Sequence, residues 1–329
     1  MRQPVLRRGD LLPSVRIPPP GPRSRALSRH LRRYEAPGIN TLGDSESALL
    51  WQEARGANVL DVDGNRYLDL TAGFGVAAVG HRHPKVVAAI RAQAGRLVHG
   101  LGDVAAHPLL AALARDLCRL VPIDNPRVYF AISGSDAVEI ALKTALLATG
   151  RPGILAFEGG YHGLTLGALA ATSRLSFRGP FATRIRPHVA RLPFGCSADA
   201  ILEKAATTPS LGAVLVEPVL GREGVVFPPR GWLADLAEAC RRTRLLLIVD
   251  EIFTGFGRTG TLFAVDAEGV RPDLICLGKA LGGGLPLAAV VGRQQVLAAW
   301  GGRGEALHTA TFVGNPLACA AALAVLKIV

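Results

Sequence analysis

The run Leu245–Val249 reads Leu-Leu-Leu-Ile-Val and stops at Asp250. Five apolar residues without polar alternation suit a strand covered on both faces. Leu211–Glu217 closes on a carboxylate in the same way, and Leu274–Leu277 runs into Gly278-Lys279. Arg127–Ile132 and Gly153–Phe157 also read as strands. Helical spacing marks Pro84–Leu97, Pro108–Leu120, Asp136–Thr149 and Trp232–Arg242. This alternation predicts an α/β fold with a mostly parallel central sheet and helices on both faces. Ahead of it, Asn58–Leu70 reads as a β-hairpin turning at Asp63-Gly64.

Composition supports a large packed core: 49% of the 329 residues are hydrophobic and 19% charged, which excludes a disordered chain. The net charge of +11 is concentrated at the start. Residues 1–35 hold nine Arg against Asp10 and Glu35, leaving only +4 for the rest. A nucleic-acid binder spreads basic surface over its folded part, so the excess reads as a solvated, poorly packed Arg/Pro-rich tail. Pro18–Pro20 and Pro22 argue against an amphipathic targeting helix there. Five scattered Cys (118, 196, 240, 276 and 319) without a CxxC argue against a disulfide framework or a zinc site. No apolar run is long enough to span a bilayer. The expectation is a cytoplasmic protein with no nucleic-acid or membrane partner and no metal.

In sheets of this kind, ligands lie beyond the carboxyl ends of the strands. Ser133-Gly134-Ser135 closes one strand and opens a helix. It suits an anion held by helix N-terminal amides and a hydroxyl, and equally an ordinary helix cap. Asp250 and Glu217 are strand-end carboxylates. Each suits a cationic ring nitrogen, a metal or an Arg, or a structural ion pair. Desolvation at the end of an apolar strand makes Lys279 a candidate Schiff-base nucleophile, favoured over the alternative of a snorkelling surface Lys. Glycines 282–284 would let the chain pass close to a ligand. Tyr161-His162-Gly163 offers a flat ring for stacking or for simple packing.

Three other motifs lead nowhere. Gly255-Phe-Gly257-Arg-Thr-Gly260 matches a dinucleotide fingerprint, but no helical pattern follows it, so it reads as a loop. Gly278-Lys279 lacks the Gly and Ser/Thr of a phosphate-binding P-loop. His81-Arg-His83 has no third ligand nearby and reads as a turn before the Pro84 helix.

Taken together, an anion site, a stacking ring, a strand-end Asp and a strand-end Lys suit pyridoxal 5′-phosphate. The sequence resembles the class-III, ornithine/4-aminobutyrate-type aminotransferases of fold type I. The resemblance lies in DVDGNRYLDL, GHRHPKVVAAI, SGSDAVEIALK, GGYHGLT, VEPV, IVDEIFTGFGRTG, PDLICLGKALGGGLPLAAVVG and HTATFVGNPLACAA, in family order over about residues 20–329. It implies that Lys279 forms the Schiff base and moves the proton. Asp250 would keep the pyridine nitrogen protonated. Gly134 and Ser135 would bind phosphate. Tyr161 would stack on the ring with His162 beside it, Ile252 would pack on the other face, and Glu217 would be a pocket acid. Thr311 would reach the phosphate of a neighbouring subunit, which makes the enzyme a homodimer. The reaction implied passes an amino group from an amine donor to a keto acid. An aminomutase or racemase of the same fold, and an inactive cofactor-binding fragment or partner subunit, are the alternatives; a metal hydrolase is poorly supported.

Departures from the family pattern bear on the substrate. Leu164 stands where an Arg often clamps a carboxylate. Arg222 replaces a switching glutamate, Phe253 replaces a glutamine, and Phe74 sits at a position that in the family often helps shape the substrate pocket. These point to a more apolar amine site than that of the 4-aminobutyrate, ornithine or acetylornithine enzymes. The expected organisation is a tail at 1–35, an N-terminal segment at 36–97 belonging to a partial small domain, and a large cofactor-binding domain at 98–329. The family's C-terminal small domain, with its carboxylate-binding Arg, is expected to be absent.

Overall fold

The structure is a computed structural model that describes residues 6–39, 48–185, 188–302 and 304–329. Strands β1 (Trp51–Arg55), β2 (Asn58–Asp61) and β3 (Arg66–Leu68) form a small antiparallel sheet. The β2–β3 turn falls at Asp63-Gly64 as expected. The Asp61 carboxylate accepts the N–H groups of Asp63 and Asn65, and Gly64 takes φ +89°.

Seven strands make the main sheet: β4 (Pro126–Ala131), β5 (Gly153–Phe157), β6 (Val189–Leu192), β7 (Leu211–Val216), β8 (Leu246–Asp250), β9 (Leu274–Leu277) and β10 (Ala288–Arg293). Their order is β4-β10-β9-β8-β7-β5-β6. Only β10 runs antiparallel to its neighbours. The sequence pattern did not reveal β1, β6 or β10. β10 returns from β9 through a short 3-10 turn, Lys279–Gly282, instead of a helical crossover, which forces the antiparallel sense.

Strict alternation along the apolar strands feeds two cores. Leu247, Val249, Ile275 and Leu277 face the helices Pro108–Leu120, Trp232–Thr243 and Pro316–Val325. Ile248, Leu274 and Cys276 face the helix Gly134–Thr149, with Ala137, Ile140 and Ala141 against them. Both faces are therefore dry, which is why the strands carry no polar alternation. Helix Pro84–Ala94 ends three residues before the predicted Leu97 and packs through Val86 on Ala321 and Val325. Gly283 lies against the same pair of helices. A Cβ there would meet Val325 at 3.0 Å and Val86 at 3.2 Å, so this glycine permits the close packing of the two helices.

Within the expected solvated tail, residues 6–28 are tied to the small sheet at several points, although most side chains of the helix Pro22–Tyr34 are exposed; residues 1–5 lie outside the described residues. Leu6 is buried, and Ser14 pairs with Arg66 in an antiparallel bridge. The buried Asn58 and Asn65 side chains bind the backbone at Leu11, Arg16 and Ile17. Helix Pro22–Tyr34 then begins with Pro22 in its first turn, where a missing N–H costs nothing. Asp63 accepts from the backbone of Arg23 and Ser24 and from the Ser24 hydroxyl. Composition alone concealed this because the anchors are side chains some 40 residues away in the sequence.

Candidate active site

Neighbouring parallel strands β5, β7, β8 and β9 deliver Tyr161-His162, Glu217, Asp250 and Lys279 to one edge of the sheet. Asp250 is buried. Its Oδ2 lies 2.8 Å from His162 Nδ1, and Oδ1 accepts the Ile252 N–H at 3.1 Å. His162 is fixed in turn. Its backbone N–H donates to the Thr172 hydroxyl at 3.0 Å, and that hydroxyl donates to the Gly163 carbonyl at 2.9 Å.

Glu217 accepts the N–H of Tyr161 at 2.7 Å and that of Gly221 at 3.3 Å, clipping two loops together. Burial pushes its carboxyl up to about 7; the charge of Asp250 adds to this, while His162 and the two N–H groups oppose it.

Lys279 takes φ +42°, a left-handed conformation that non-glycine residues hold only when their surroundings impose it. Its Nζ stands 4.6 Å from the centroid of the Phe253 ring. Burial lowers the ammonium pKa. Arg222 and Arg258 push the same way, while Asp250 and Glu217 oppose. The lysine is thus held toward its neutral, nucleophilic form. Gly75 makes room for this arrangement: a Cβ there would lie 3.0 Å from Phe253 and 3.5 Å from the Lys279 side chain.

At the start of the helix Gly134–Thr149, Ser133 is the cap, accepting the Asp136 N–H at 3.2 Å. Ser135 points elsewhere: its hydroxyl meets the Thr165 hydroxyl at 2.6 Å and accepts the Thr165 N–H at 3.1 Å. Ser133 is thus the helix cap, while Ser135 is held by Thr165. Ile252 sits between Gly134 and Gly278, where added Cβ atoms would lie 3.1 and 3.3 Å from it. Gly163, at φ +120°, lies so close to Ser135 that any side chain would collide with it.

Tyr161 carries the Arg222 guanidinium 4.5 Å above its ring and has Phe177 at its edge. Leu164 and Phe74 are exposed beside Gly163 and Gly75, and Phe74 itself takes φ +57°. Thr311 is exposed ahead of the last helix, with its carbonyl against Gly102. Within the chain, among the described residues, it makes no hydrogen bond to Ser135, Asp250 or Lys279. Sequence reasoning missed Phe177, Thr165, Gly75 and Arg258. None has a spacing signature, and each joins the site through contacts with segments distant in sequence. His81 pairs with Asp69 at 2.7 Å and His83 caps the following helix, so both have structural work. No cluster of three metal-ligating side chains occurs among the described residues. No helix among them is long and apolar enough to cross a membrane.

The family model for aminotransferase class-III matches residues 41–329. The chain belongs to the class-III aminotransferases. It is 44% identical over 274 residues to the acetylornithine aminotransferase of Methanopyrus kandleri, a match that covers 83% of this chain and 68% of that protein. Its fold resembles the ornithine aminotransferase of Toxoplasma gondii ME49 with TM-score 0.82 and 32% identity, covering 91% of this chain and 70% of that one. An amine transaminase from an uncultivated Pseudomonas species gives TM-score 0.82 and 32% identity, covering 89% and 74%. This class-III aminotransferase is a pyridoxal-phosphate-dependent enzyme of transamination, acting between an amine or amino-acid donor and a keto acid.

The residues present fit that cofactor. Gly134 and Gly163, where a Cβ would press on Ile252 and on Ser135, let the backbone pass close to those side chains at a helix N-terminus that also presents the Ser135 hydroxyl, a donor set suited to a phosphate. A fixed carboxylate and a desolvated amine complete the donor set.

Proposed function

We propose that Lys279 is the amine that carries the cofactor and then takes and returns the substrate proton, and that Asp250 holds the ring nitrogen protonated. The observation that carries this reading is the pairing of a strained, desolvated Lys279 with a buried Asp250 oriented by His162. With Asp250 ionised, His162 Nδ1 donates to it and leaves the opposite carboxylate edge for the ring nitrogen. Ser135, Thr165 and the amides after Gly134 take the phosphate. Ile252 and the Tyr161 side flank the ring, and Glu217 holds the Tyr161 and Gly221 loops at that distance. Bound there, pyridoxal phosphate supplies an aldehyde and an electron sink.

On the donor side, exposed Leu164 and Phe74 support a substrate whose end remote from the amine is uncharged. A donor panel led by 4-aminobutyrate overturns that part. Thr311, exposed and making no hydrogen bond to its own Lys279 among the described residues, supports a homodimer in which it serves the partner's phosphate site. Phe74, Leu101, Val104 and Phe312 add exposed apolar surface for such an interface; light scattering tests it. The described residues of 36–97 are assigned to an N-terminal segment and those of 98–329 to the cofactor-binding domain. Five free cysteines, three of them buried, support a cytoplasmic setting.

The deciding experiment adds pyridoxal phosphate to the purified chain and to Lys279→Ala, then reduces both with borohydride. A visible band that borohydride bleaches, with cofactor mass fixed to the Lys279 peptide, is expected only in the parent. A band that persists unchanged in Lys279→Ala overturns the assignment.

A further inference from the structure

Arg222 is an exposed cation set against two aromatic rings, with no carboxylate partner among the described residues. Its guanidinium lies 4.5 Å from the Tyr161 ring centroid and 5.3 Å from that of Phe177, so two aromatic rings hold it. The adjacent Glu223 is engaged with Arg174, 2.8 Å away, and that Arg stacks on Phe177 as well. Glu217 faces inward and is occupied by the Tyr161 and Gly221 N–H groups. Among the described residues, no carboxylate stands at ion-pair distance from Arg222. The Glu217 clip sets its position: it binds the N–H of Gly221, the residue before Arg222, and that of Tyr161, the residue under it. Arg222 is therefore held over the site wall and within electrostatic reach of Lys279.

A transamination site handles a keto acid in one half-reaction, and a carboxylate near a desolvated lysine needs a counter-charge. We propose that Arg222 is the specificity-determining residue that receives a carboxylate of the keto-acid substrate, its planar fork held by Tyr161 and Phe177. The assignment rests on the transamination reading of this same site. It gives the site one apolar wall, at Leu164 and Phe74, and one cationic wall, at Arg222. Donor and acceptor are then told apart by charge in a single pocket.

The test measures dissociation constants of glutarate and of its uncharged diamide, glutaramide. Both are titrated against the cofactor-loaded chain, Arg222→Ala, Arg222→Gln and Arg222→Lys, with the visible band as the readout. Loss of a charged hydrogen-bonding partner is expected to weaken glutarate by about tenfold or more in the Ala and Gln variants. Lys should restore part of the loss, and glutaramide should bind all four proteins alike. The KM for a keto acid should rise with little change in kcat. Glutarate binding that is undetectable in the parent, or equal in parent and Arg222→Ala, overturns the proposal. So does a parallel loss of glutaramide, which would mark Arg222 as mere support for Tyr161. Absence of any cofactor band in the parent instead sinks the transamination reading beneath it, so the two failures are distinct.

Discussion

His162 Nδ1 stands 2.8 Å from Asp250 Oδ2, with both side chains buried at the end of the central strand β8. Removing the imidazole strips a buried carboxylate of its main partner. His162→Ala should therefore lose about 3 kcal/mol in urea unfolding. Asp250→Asn keeps the volume, and should fold normally while its turnover drops by about 100-fold or more. A His162→Ala protein as stable as the parent would show that the pair does not anchor Asp250.

Glu217 predicts a pH dependence of stability. Its carboxyl titrates at about 7 when folded, above the ordinary value of 4.5. Between those values the folded chain binds more protons than the unfolded one, so stability falls as pH rises. Over this window the contribution amounts to about 3 kcal/mol. Urea midpoints measured from pH 4.5 to 8 should fall more steeply for the cofactor-free parent than for Glu217→Gln. Parallel profiles would remove Glu217 as the cause.

Gly163 tests the phosphate cradle. A methyl group at its φ of +120° would be strained and would press on Ser135. Gly163→Ala should cost about 1–3 kcal/mol of stability and should weaken pyridoxal phosphate binding, followed by titration of the visible band. Ser135→Ala should weaken the cofactor without the stability loss.

Asn65 tests the N-terminal strap. Its buried amide accepts the N–H groups of Arg16 and Ile17 and donates to the Ile17 carbonyl and the Asp61 carboxylate. Asn65→Ala should lose about 1–3 kcal/mol and expose residues 6–20 to limited proteolysis. An unchanged cleavage pattern would mean that other contacts hold the strap.

Much of the architecture was legible from local pattern. Unbroken apolar runs marked the central strands because both sheet faces are covered, and Asp63-Gly64 marked its hairpin. Strand ends pointed to Glu217, Asp250 and Lys279 because a polar residue directly after such a run faces the ligand edge. β10 and the packed strap were hidden. The first depends on where a glycine turn sends the chain, and the second on anchors supplied by Asn58, Asn65 and Asp63.

The sequence by itself determined the parts list: which side chains could hold a phosphate, a ring nitrogen and an aldehyde, and where the pattern departs from its family at Leu164, Arg222 and Phe253. Tertiary structure alone decided how those parts meet. It turned His162 onto Asp250, set the Phe253 ring over Lys279 and laid Arg222 across Tyr161. These pairs come from separate segments of the chain, 88 residues apart for the first and 26 for the second. Spacing cannot report a contact between segments that only the packed sheet brings together, and desolvation, which shifts Lys279 and Glu217, exists only once that packing excludes water.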